Sequence, residues 1–311
     1  MRLRLLVCVL AVVVLGLSFA FPWLKTPVLL ALANGLSVAG VVVLIRAGQV
    51  SFGHAMFACL AGYGVAFLAR HWHLDALLLV ALGGGAAALA GAVIGLFIVR
   101  YRGIFFGMLN LALSMVLFSV LGKFGGLTGG TDGLRFDRPT LGFVHLEREA
   151  FETVLLVLAL ALAVSAGALV QRYFASVSGQ ALAAIKTNET RLEYLGISAK
   201  RAFWGGYVLA ATLCGLGGSL FALTQGLVTP EMGYWVRSGE LVFIAILGGS
   251  GHALGAFIGA FVYEFMKLYA AALLTGAWQL VMGLVLIAMV FMAPTGVFGM
   301  LERRLRLRRS S

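Results

Sequence analysis

Charged residues are scarce in this chain of 311 residues: Asp, Glu, Lys and Arg make up 11% of it, against 61% hydrophobic residues. A soluble domain has about 25% charged residues, because its surface must be polar enough to contact water. The mean hydropathy of +1.02 shows the same imbalance. The composition therefore excludes an ordinary soluble domain and predicts a protein that crosses a membrane several times.

Cysteines are few, and their arrangement indicates neither a disulfide framework nor a metal site. Cys8, Cys59 and Cys214 are an odd number, lie far apart in apolar segments and resemble small buried hydrophobic residues. The chain also lacks a Gly-x-x-x-x-Gly-Lys-Ser/Thr phosphate loop, a His-Glu-x-x-His metal motif and a Gly-x-Ser-x-Gly nucleophile motif. We therefore expect no catalytic residue, no metal and no cofactor in this chain.

Acidic residues are outnumbered by basic ones, 12 to 23, which gives a net charge of +11. Five of the basic residues lie in the segment 303–311, and others stand between apolar runs. This distribution is typical of the loops of a membrane protein and argues against nucleic-acid binding. We expect a basic cytoplasmic tail over 302–311 that contacts anionic membrane lipids.

Long apolar runs are abundant, and a helix needs about 20 apolar residues to cross the hydrocarbon core. Candidate spans are 4–22, 27–46, 49–70, 75–99, 103–121, 150–171, 202–225, 237–250, 252–271 and 277–293. The predicted fold is an all-α, polytopic membrane helix bundle over 1–301, with about ten spans. The run 237–250 is short, and the junction at 46–51 is doubtful because Gly48-Gln49 hardly makes a loop, so the bundle is expected to contain broken or half helices. A short similarity between 53–58 and 251–256 is interpreted as chance.

The basic residues also predict the orientation of the bundle. With the N-terminus inside, the inside segments carry 15 Lys and Arg residues and the outside segments 7. The positive-inside rule then places both termini and residues 172–201 in the cytoplasm, and the loop 122–149 outside. We prefer an uncleaved first helix, although Ser18-Phe19-Ala20 also fits a signal-peptide cleavage site.

Residues 172–201, here named the polar arm, form the one long polar stretch between two candidate spans that the orientation places inside. Leu182, Ile185, Leu192 and Leu195 have the spacing of one face of a helix. Ser178 stands where an N-cap is expected, and Gly196 where a helix should stop. The arm is therefore predicted to be a short amphipathic helix that docks against a soluble partner.

Two further polar clusters are candidates for the substrate path. Gln49, Ser51 and His54 cannot face lipid cheaply, so they face other helices, water or a translocation path, and helix–helix hydrogen bonding is an equally good interpretation. Thr128, Thr131 and Asp132 carry the hydrogen-bonding side chains of 125–134, which is too rich in glycine for regular structure. That loop is either a flexible connector or a structured loop that faces the substrate path or a receptor.

Several stretches together resemble the LivM-type permease subunits of ABC importers for branched-chain amino acids, over residues 30–300. They are Ala47-Gly48-Gln49-Val50-Ser51-Phe52-Gly53-His54-Ala55, Gly103-Ile104-Phe105-Phe106-Gly107-Met108-Leu109, 127–134, Ala184-Ile185-Lys186-Thr187-Asn188-Glu189, Leu195-Gly196-Ile197, Leu247-Gly248-Gly249 and 293–299. Gln180 and Lys186-Thr187 depart from the family pattern, which leaves the identity of the partners open.

The resemblance implies that 179–197 is the cytoplasmic loop that couples to an ATPase. The implied coupling residues are Gly179, Ala181, Leu182, Ala184, Ile185, Glu189, Leu192, Leu195 and Gly196. The implied partners are a second permease subunit, a periplasmic amino-acid-binding protein and two ATP-binding subunits that hydrolyse ATP with Mg. The expected function is therefore the permease subunit of an importer for branched-chain or other hydrophobic amino acids in a bacterial inner membrane. Two alternatives stay open: an importer of urea or short amides, and a secondary carrier that works without ATP.

Overall fold

The protein is almost entirely helical, as the composition predicts. The computed structural model describes residues 13–72, 74–142, 144, 146–273, 278–292 and 296–300. Within these residues, the helices of six or more residues with described ends are α1 (Lys25–Arg46), α2 (Ala55–Trp72), α3 (Ala76–Ile98), α4 (Gly103–Lys123), α5 (Arg148–Ala175), α6 (Val177–Thr187), α7 (Glu189–Tyr194), α8 (Ala199–Gln225), α9 (Trp235–Gly248), α10 (Ala253–Leu273) and α11 (Trp278–Met292).

Short elements complete the described part of the chain. Single helical turns lie at Pro22–Leu24, Gly125–Thr128, Gly130–Asp132 and Pro230–Gly233, and residues 13–20 and 296–300 are also helical. Two strands of two residues each, β1 (Leu134–Arg135) and β2 (Leu227–Val228), pair antiparallel. The predicted all-α class is therefore confirmed.

Six helices, counted over the described residues, are long and apolar enough to cross a membrane: Pro22–Arg46, Ala76–Ile98, Gly103–Lys123, Arg148–Ala175, Ala199–Gln225 and Ala253–Ala272. The prediction of about ten spans is therefore not confirmed. Helices α2, α9 and α11 have 18, 14 and 15 residues, which is short of the ~20 that a full crossing requires. The candidate span 4–22 is described only from residue 13, and the tail 302–311 lies outside the described residues.

Two parts of the bundle repeat one arrangement in opposite directions. In the first part α1 is followed by the irregular segment 47–54, α2 and α3; in the second part α8 is followed by the segment 226–234, α9 and α10. Helices α1 and α8 are antiparallel neighbours, because α1 ends, and α8 begins, beside the polar arm. Helix α8 packs on α3 as α1 packs on α10. Inverted repeats that contain broken helices are common in transporters. The sequence similarity of 53–58 to 251–256 is unrelated to this repeat, since the first begins α2 and the second lies at the turn before α10.

The two central helices approach closely because small residues stand where they meet. A Cβ atom added at Gly40 in α1 would lie 2.5 Å from the carbonyl oxygen of Ala210 in α8. A Cβ atom added at Gly217 in α8 would lie 2.4 Å from the carbonyl oxygen of Ala33 in α1. Small residues at helix interfaces allow this kind of backbone contact. Helix α1 is consequently buried almost throughout, and the core of the bundle lies around it.

The loop after α4 is ordered over 124–142, although the glycine content of 125–134 predicted no regular structure there. Gly129, Gly130 and Gly133 adopt φ angles of 75°, 61° and 78°, which favour glycine. These angles turn the chain so that β1 pairs with β2 at the end of α8. A Cβ atom at Gly133 would lie 2.4 Å from the carbonyl oxygen of Val228. Glycine therefore shapes this loop rather than leaving it irregular. We name the end of the bundle that carries it the loop end, and the opposite end, which carries the polar arm, the arm end.

Candidate functional site

The polar arm folds into two short helices rather than the single helix predicted. Helix α6 begins after Ser176, whose hydroxyl accepts a hydrogen bond from a backbone N–H of its first turn. The predicted N-cap, Ser178, lies inside α6. Asn188 has an extended backbone (φ −159°), which ends α6, and its side chain caps α7. Gly196 has φ 79° and ends α7, as predicted.

The apolar face of the arm packs against this chain's own helices. The buried residues among the predicted coupling set are Gly179, Ala181, Leu182, Ile185 and Leu192, while Ala184 and Glu189 are half-buried. Leu182 lies against α8, where a Cβ atom at Gly206 would stand 2.9 Å from its Cδ1 atom. Gly179 lies against α5, where a Cβ atom would stand 2.0 Å from the Tyr173 carbonyl oxygen. These residues hold the arm on the bundle.

The exposed apolar residues of the arm lie at its outer edges. Leu195 is 72% exposed and Tyr194 87% exposed at the end of α7, and we name this pair the arm tip. Leu195 was predicted to share a face with Leu182, but the break at Asn188 moves it to the surface. Val177, at the start of α6, is also 72% exposed. The arm therefore presents apolar side chains that none of this chain's described helices covers.

The arm contacts the end of α1, which precedes the segment 47–54, and the start of α4, which lies beside that segment. The guanidinium of Arg102, before α4, makes a two-pronged contact with the Glu189 carboxylate, Nη2 to Oε1 at 2.9 Å and Nε to Oε2 at 3.1 Å. Arg102 also lies 4.5 Å above the ring of Phe203 in α8. Arg46, at the end of α1, donates to the Gly179 carbonyl oxygen at 3.4 Å. A displacement of the arm would therefore act directly on α1 and α4.

The segment 47–54 runs without regular structure along the first turns of α4. Gln49 accepts a hydrogen bond from the Gly103 backbone N–H at 2.6 Å, and a Cβ atom at Gly53 would lie 2.1 Å from the Asn110 carbonyl oxygen. The segment therefore enters the bundle from the arm end, and α2 starts inside it. This explains why the predicted span 49–70 begins six residues before the observed helix.

The three polar residues of this segment are buried, as their chemistry predicted. Ser51 Oγ lies 2.6 Å from His54 Nδ1, and Gln49 bonds backbone groups. The His54 ring packs edge-on against Phe57 and Tyr207, with centroid distances of 5.3 and 5.1 Å. Its Nε2 atom is buried and has no hydrogen-bond partner among the described residues. These contacts hold the segment in place.

A second segment that interrupts two helices, 226–234, enters the bundle from the loop end and meets the segment 47–54 beside α4. Ser114 in α4 donates to the Gly233 carbonyl oxygen, one helical turn beyond Asn110. The Ser238 hydroxyl in α9 accepts from the Ala55 backbone N–H at 3.0 Å, so α9 caps the first turn of α2. The two short helices therefore touch near their N-terminal ends, inside the bundle.

Sequence reasoning missed the residues that join these segments to the long helices. Tyr207 in α8 donates to Asn110 Oδ1 at 2.7 Å, and Asn110 itself donates to the Phe106 carbonyl oxygen at 2.8 Å. Both polar side chains are fully buried. An isolated Asn inside an apolar run indicates a hydrogen bond to another helix, because an amide in the membrane interior needs a partner.

The loop candidates Thr128, Thr131 and Asp132 lie far from Gln49, Ser51 and His54. Thr128 donates to the Leu121 carbonyl oxygen at 2.6 Å and so closes the end of α4, while Thr131 and Asp132 are exposed. Helix α4, at 21 residues, separates the two groups by about 30 Å. The structure therefore does not bring the six candidates together.

Ionisable and polar side chains form a cluster that links α1, α9 and α10. Arg237 pairs with Glu240 one turn along α9 and donates to Asn34 Oδ1 in α1 at 2.7 Å. Asn34 in turn donates to the Glu264 carboxylate in α10. Sequence reasoning considered a pair between Glu264 and Lys267 and missed the cross-helix contacts, since Asn34 and Glu264 stand 230 residues apart.

A basic cavity of about 730 Å3 opens at the loop end. Arg70, Arg135 and Arg138 line it together with Asp137, and Arg135 and Arg138 belong to the ordered loop. The loop end thus presents a surface on which cations outnumber anions.

A family model described as the permease component of branched-chain amino acid transport systems matches residues 24–290. The high-affinity branched-chain amino acid transport system permease proteins LivM of Escherichia coli (strain K12) and Salmonella typhimurium (strain LT2) are 25% and 24% identical to the chain, over 86% of it and 68% of their own length. The autoinducer 2 import system permease protein LsrC of Enterobacter sp. (strain 638) is 28% identical over 89% of the chain and 77% of its own length. No solved structure matches the chain.

Proposed function

Since the chain belongs to the family of permease components of branched-chain amino acid transport systems, we propose that it is the membrane subunit of an ATP-driven importer. Its substrates are branched-chain or other hydrophobic amino acids, delivered by a periplasmic amino-acid-binding protein. Two ATP-binding subunits hydrolyse ATP with Mg, and a second permease subunit completes the pathway. The complex resides in a bacterial inner membrane, with both termini of this chain in the cytoplasm.

The observation that carries this proposal is that one face of the polar arm is buried against the bundle while its tip is exposed. Its buried face anchors it to α5 and α8, and its tip exposes Tyr194 and Leu195. Exposed apolar groups on an anchored helix are suited to bind a protein partner. A carrier that works without ATP has no need of such an anchored arm.

Force on the arm reaches the broken segments through two short connections. The Arg102–Glu189 contact moves the start of α4, and the Arg46 contact moves the end of α1. The segment 47–54 lies between these two points and holds α2 in place. ATP binding by the partner subunits would thereby shift the half-helices and change which end of the pathway is open.

The loop end is the proposed docking surface for the receptor. The ordered segment 124–142 and its arginine-lined cavity are fixed to the bundle by the β1–β2 pairing. Charge complementarity steers protein association, so an acidic receptor surface would fit Arg135 and Arg138. Substrate released there would enter beside the segment 226–234.

The experiment compares a tip variant with an anchor variant in the complete transporter, reconstituted with its ATP-binding subunits, second permease and receptor. Leu195→Asp should leave the thermal stability of the subunit within about 0.5 kcal/mol, because the side chain is exposed. It should nevertheless reduce co-purification of the ATP-binding subunits and abolish ATP-dependent leucine uptake. Leu182→Ala should instead destabilise the subunit by about 2–5 kcal/mol, because it removes a fully buried side chain.

Two results would overturn the proposal. If the Leu195→Asp transporter binds its ATP-binding subunits and imports leucine as the wild type does, the arm tip is not the coupling surface. If the wild-type subunit alone transports leucine in liposomes without ATP, the protein is a secondary carrier. Import of urea or of autoinducer 2 in place of amino acids would assign a different substrate class.

A further inference from the structure

A cavity of about 800 Å3 lies beside the start of α9, between the segment 226–234 and helices α4, α8, α10 and α11. Its volume falls in the range of about 300–1,000 Å3 that is typical of small-molecule sites. The coupling mechanism above gives this cavity no role. The chemistry of its lining is therefore informative about what could occupy it.

The lining combines an apolar wall with charges of both signs in equal number. Its large apolar side chains are Phe118, Phe221, Met232, Tyr234 and Val236. Its ionisable side chains are two acids, Glu231 and Glu240, and two bases, Arg237 and Lys267. Ionisable groups at membrane depth are expensive and usually mark a substrate or ion pathway.

Three side chains hold the Arg237 guanidinium in a fixed position. Asn34 accepts a hydrogen bond from its Nη2 atom at 2.7 Å, Glu240 pairs with its Nη1 atom, and the ring of Phe221 lies 5.5 Å from the guanidinium carbon. A guanidinium has five N–H donors, and these contacts use two of them. The side chains of Arg237 and Glu240 remain 18% and 23% exposed, so both reach the cavity. The pair thus offers a cation and an anion side by side, one helical turn apart.

The cavity also lies on the route that a delivered substrate must take. Its outer edge includes Leu227 of β2, which pairs with the ordered loop at the loop end. Its inner edge includes Arg237, which bonds Asn34 near the middle of α1. The site therefore extends from the receptor side toward the centre of the bundle.

We propose that this cavity is an acceptor site for a zwitterionic α-amino acid with an apolar side chain. The carboxylate of the ligand pairs with Arg237, its ammonium group pairs with Glu240, and its side chain packs on Phe221, Met232 and Val236. This inference rests on the proposed function and deepens it, because it assigns the two residues that recognise the carboxylate and the ammonium group of the ligand, neither of which an uncharged amide carries. The substrate class is then selected within this subunit as well as by the receptor.

The test is ligand protection of a cysteine placed in the cavity of the complete, reconstituted transporter. Val236→Cys lines the cavity and should react with a small maleimide, while Val144→Cys, which is exposed at the loop end outside the cavity, is the control. Cys8 is replaced by Ser, and the buried Cys59 and Cys214 are kept. L-Leucine should slow labelling of Val236→Cys and leave labelling of Val144→Cys unaffected, whereas urea should protect neither. Arg237→Gln should raise the protecting leucine concentration by about tenfold or more, as expected for loss of a charge-assisted hydrogen bond, and Arg237→Lys should restore part of it.

The failure of this inference is distinguishable from failure of the proposed function. If the wild-type transporter imports leucine with ATP but leucine does not protect Val236→Cys, the cavity is not an amino-acid site and the importer assignment stands. The same conclusion follows if Val236→Cys reacts in the isolated subunit but not in the complex, since the second permease then fills the cavity. If the wild-type transporter imports no amino acid, both ideas are wrong.

Discussion

At the scale of single residues, the interior of the bundle holds polar side chains that bond across elements. Asn110 and Tyr207 join α4 to α8, and Asn34 joins α1 to both α9 and α10. A polar group left without a partner in an apolar interior costs more than a made hydrogen bond gains. These residues therefore specify which helix faces meet, beyond what apolar packing alone would select.

The hydroxyl of Tyr207 gives a direct measure of this effect. Tyr207→Phe keeps the ring that packs on His54 and Phe106 but leaves the Asn110 Oδ1 atom without its donor, so it should destabilise the protein by about 1–3 kcal/mol. Tyr63→Phe is the matched control, because the Tyr63 hydroxyl is buried and has no partner among the described residues. It should have no effect or a stabilising one. Thermal unfolding in detergent measures both, and equal losses would contradict the role given to the Asn110 bond.

Residue chemistry alone predicted burial better than it predicted partners. Gln49, Ser51 and His54 were expected to avoid lipid, and all three are buried. Cys59 and Cys214 were interpreted as small buried hydrophobic residues, and both are buried and unpaired. Hydropathy carries this information locally, whereas a hydrogen-bond partner is set by tertiary packing. The partners of this class lie up to 230 residues away, so the local sequence could not identify them.

At the scale of elements, the polar arm packs on the bundle with one face and is exposed at its tip. Its connection to α4 is the contact of Arg102 with Glu189, which is two-pronged and partly shielded from solvent. Planar carboxylate–guanidinium contacts of this kind fix orientation as well as distance. In the proposed coupling, this contact would transmit a rotation of α7 to the start of α4.

The Arg102–Glu189 contact predicts a coupling defect with little loss of stability. Glu189→Gln should lower leucine uptake per ATP hydrolysed while changing the stability by about 1 kcal/mol or less, because the pair is partly exposed. The reversed pair, Arg102→Glu with Glu189→Arg, should restore part of the coupling that either single reversal removes. A double-mutant cycle on uptake and ATP hydrolysis measures the interaction. Additive effects of the two reversals would show that the contact transmits nothing.

Element boundaries were predictable where apolar length decides them and not where the chain enters the bundle without a helix. The long helices α1, α3, α4, α5, α8 and α10 fall within a few residues of the predicted spans, because a continuous apolar run has few other stable forms in a membrane. Residues 49–54 were included in the candidate span 49–70, although they hold Gln49, Ser51 and His54. Contacts with α4, such as the Gly103 backbone bond, stabilise the irregular segment, and no window of the sequence records them. Likewise Asn188, rather than a change of hydropathy, divides the arm.

At the scale of the whole molecule, the inverted repeat places two broken segments at one level beside α4. The first enters from the arm end and the second from the loop end, and the Ser238 contact joins the helices that follow them. The repeat was not detectable in the sequence, because the two copies share the order of their elements but not their residues. This arrangement brings the polar arm and the proposed acceptor cavity to opposite sides of the same contact. A shift of α2 would therefore move α9, and a shift of α9 would move α2.

The orientation of the whole bundle gives the last prediction, because the coupling proposal requires the arm to lie in the cytoplasm. Tyr194→Cys at the arm tip and Val144→Cys at the loop end are both exposed, while Cys59 and Cys214 are buried and Cys8 is replaced by Ser. A membrane-impermeant maleimide should label Val144→Cys in spheroplasts and Tyr194→Cys only in inverted vesicles, as the distribution of Lys and Arg predicts. Permeabilised cells, in which both should react, control for intrinsic reactivity. Labelling of Tyr194→Cys from outside would place the arm beyond the reach of any ATP-binding subunit, and the proposed coupling would then be impossible.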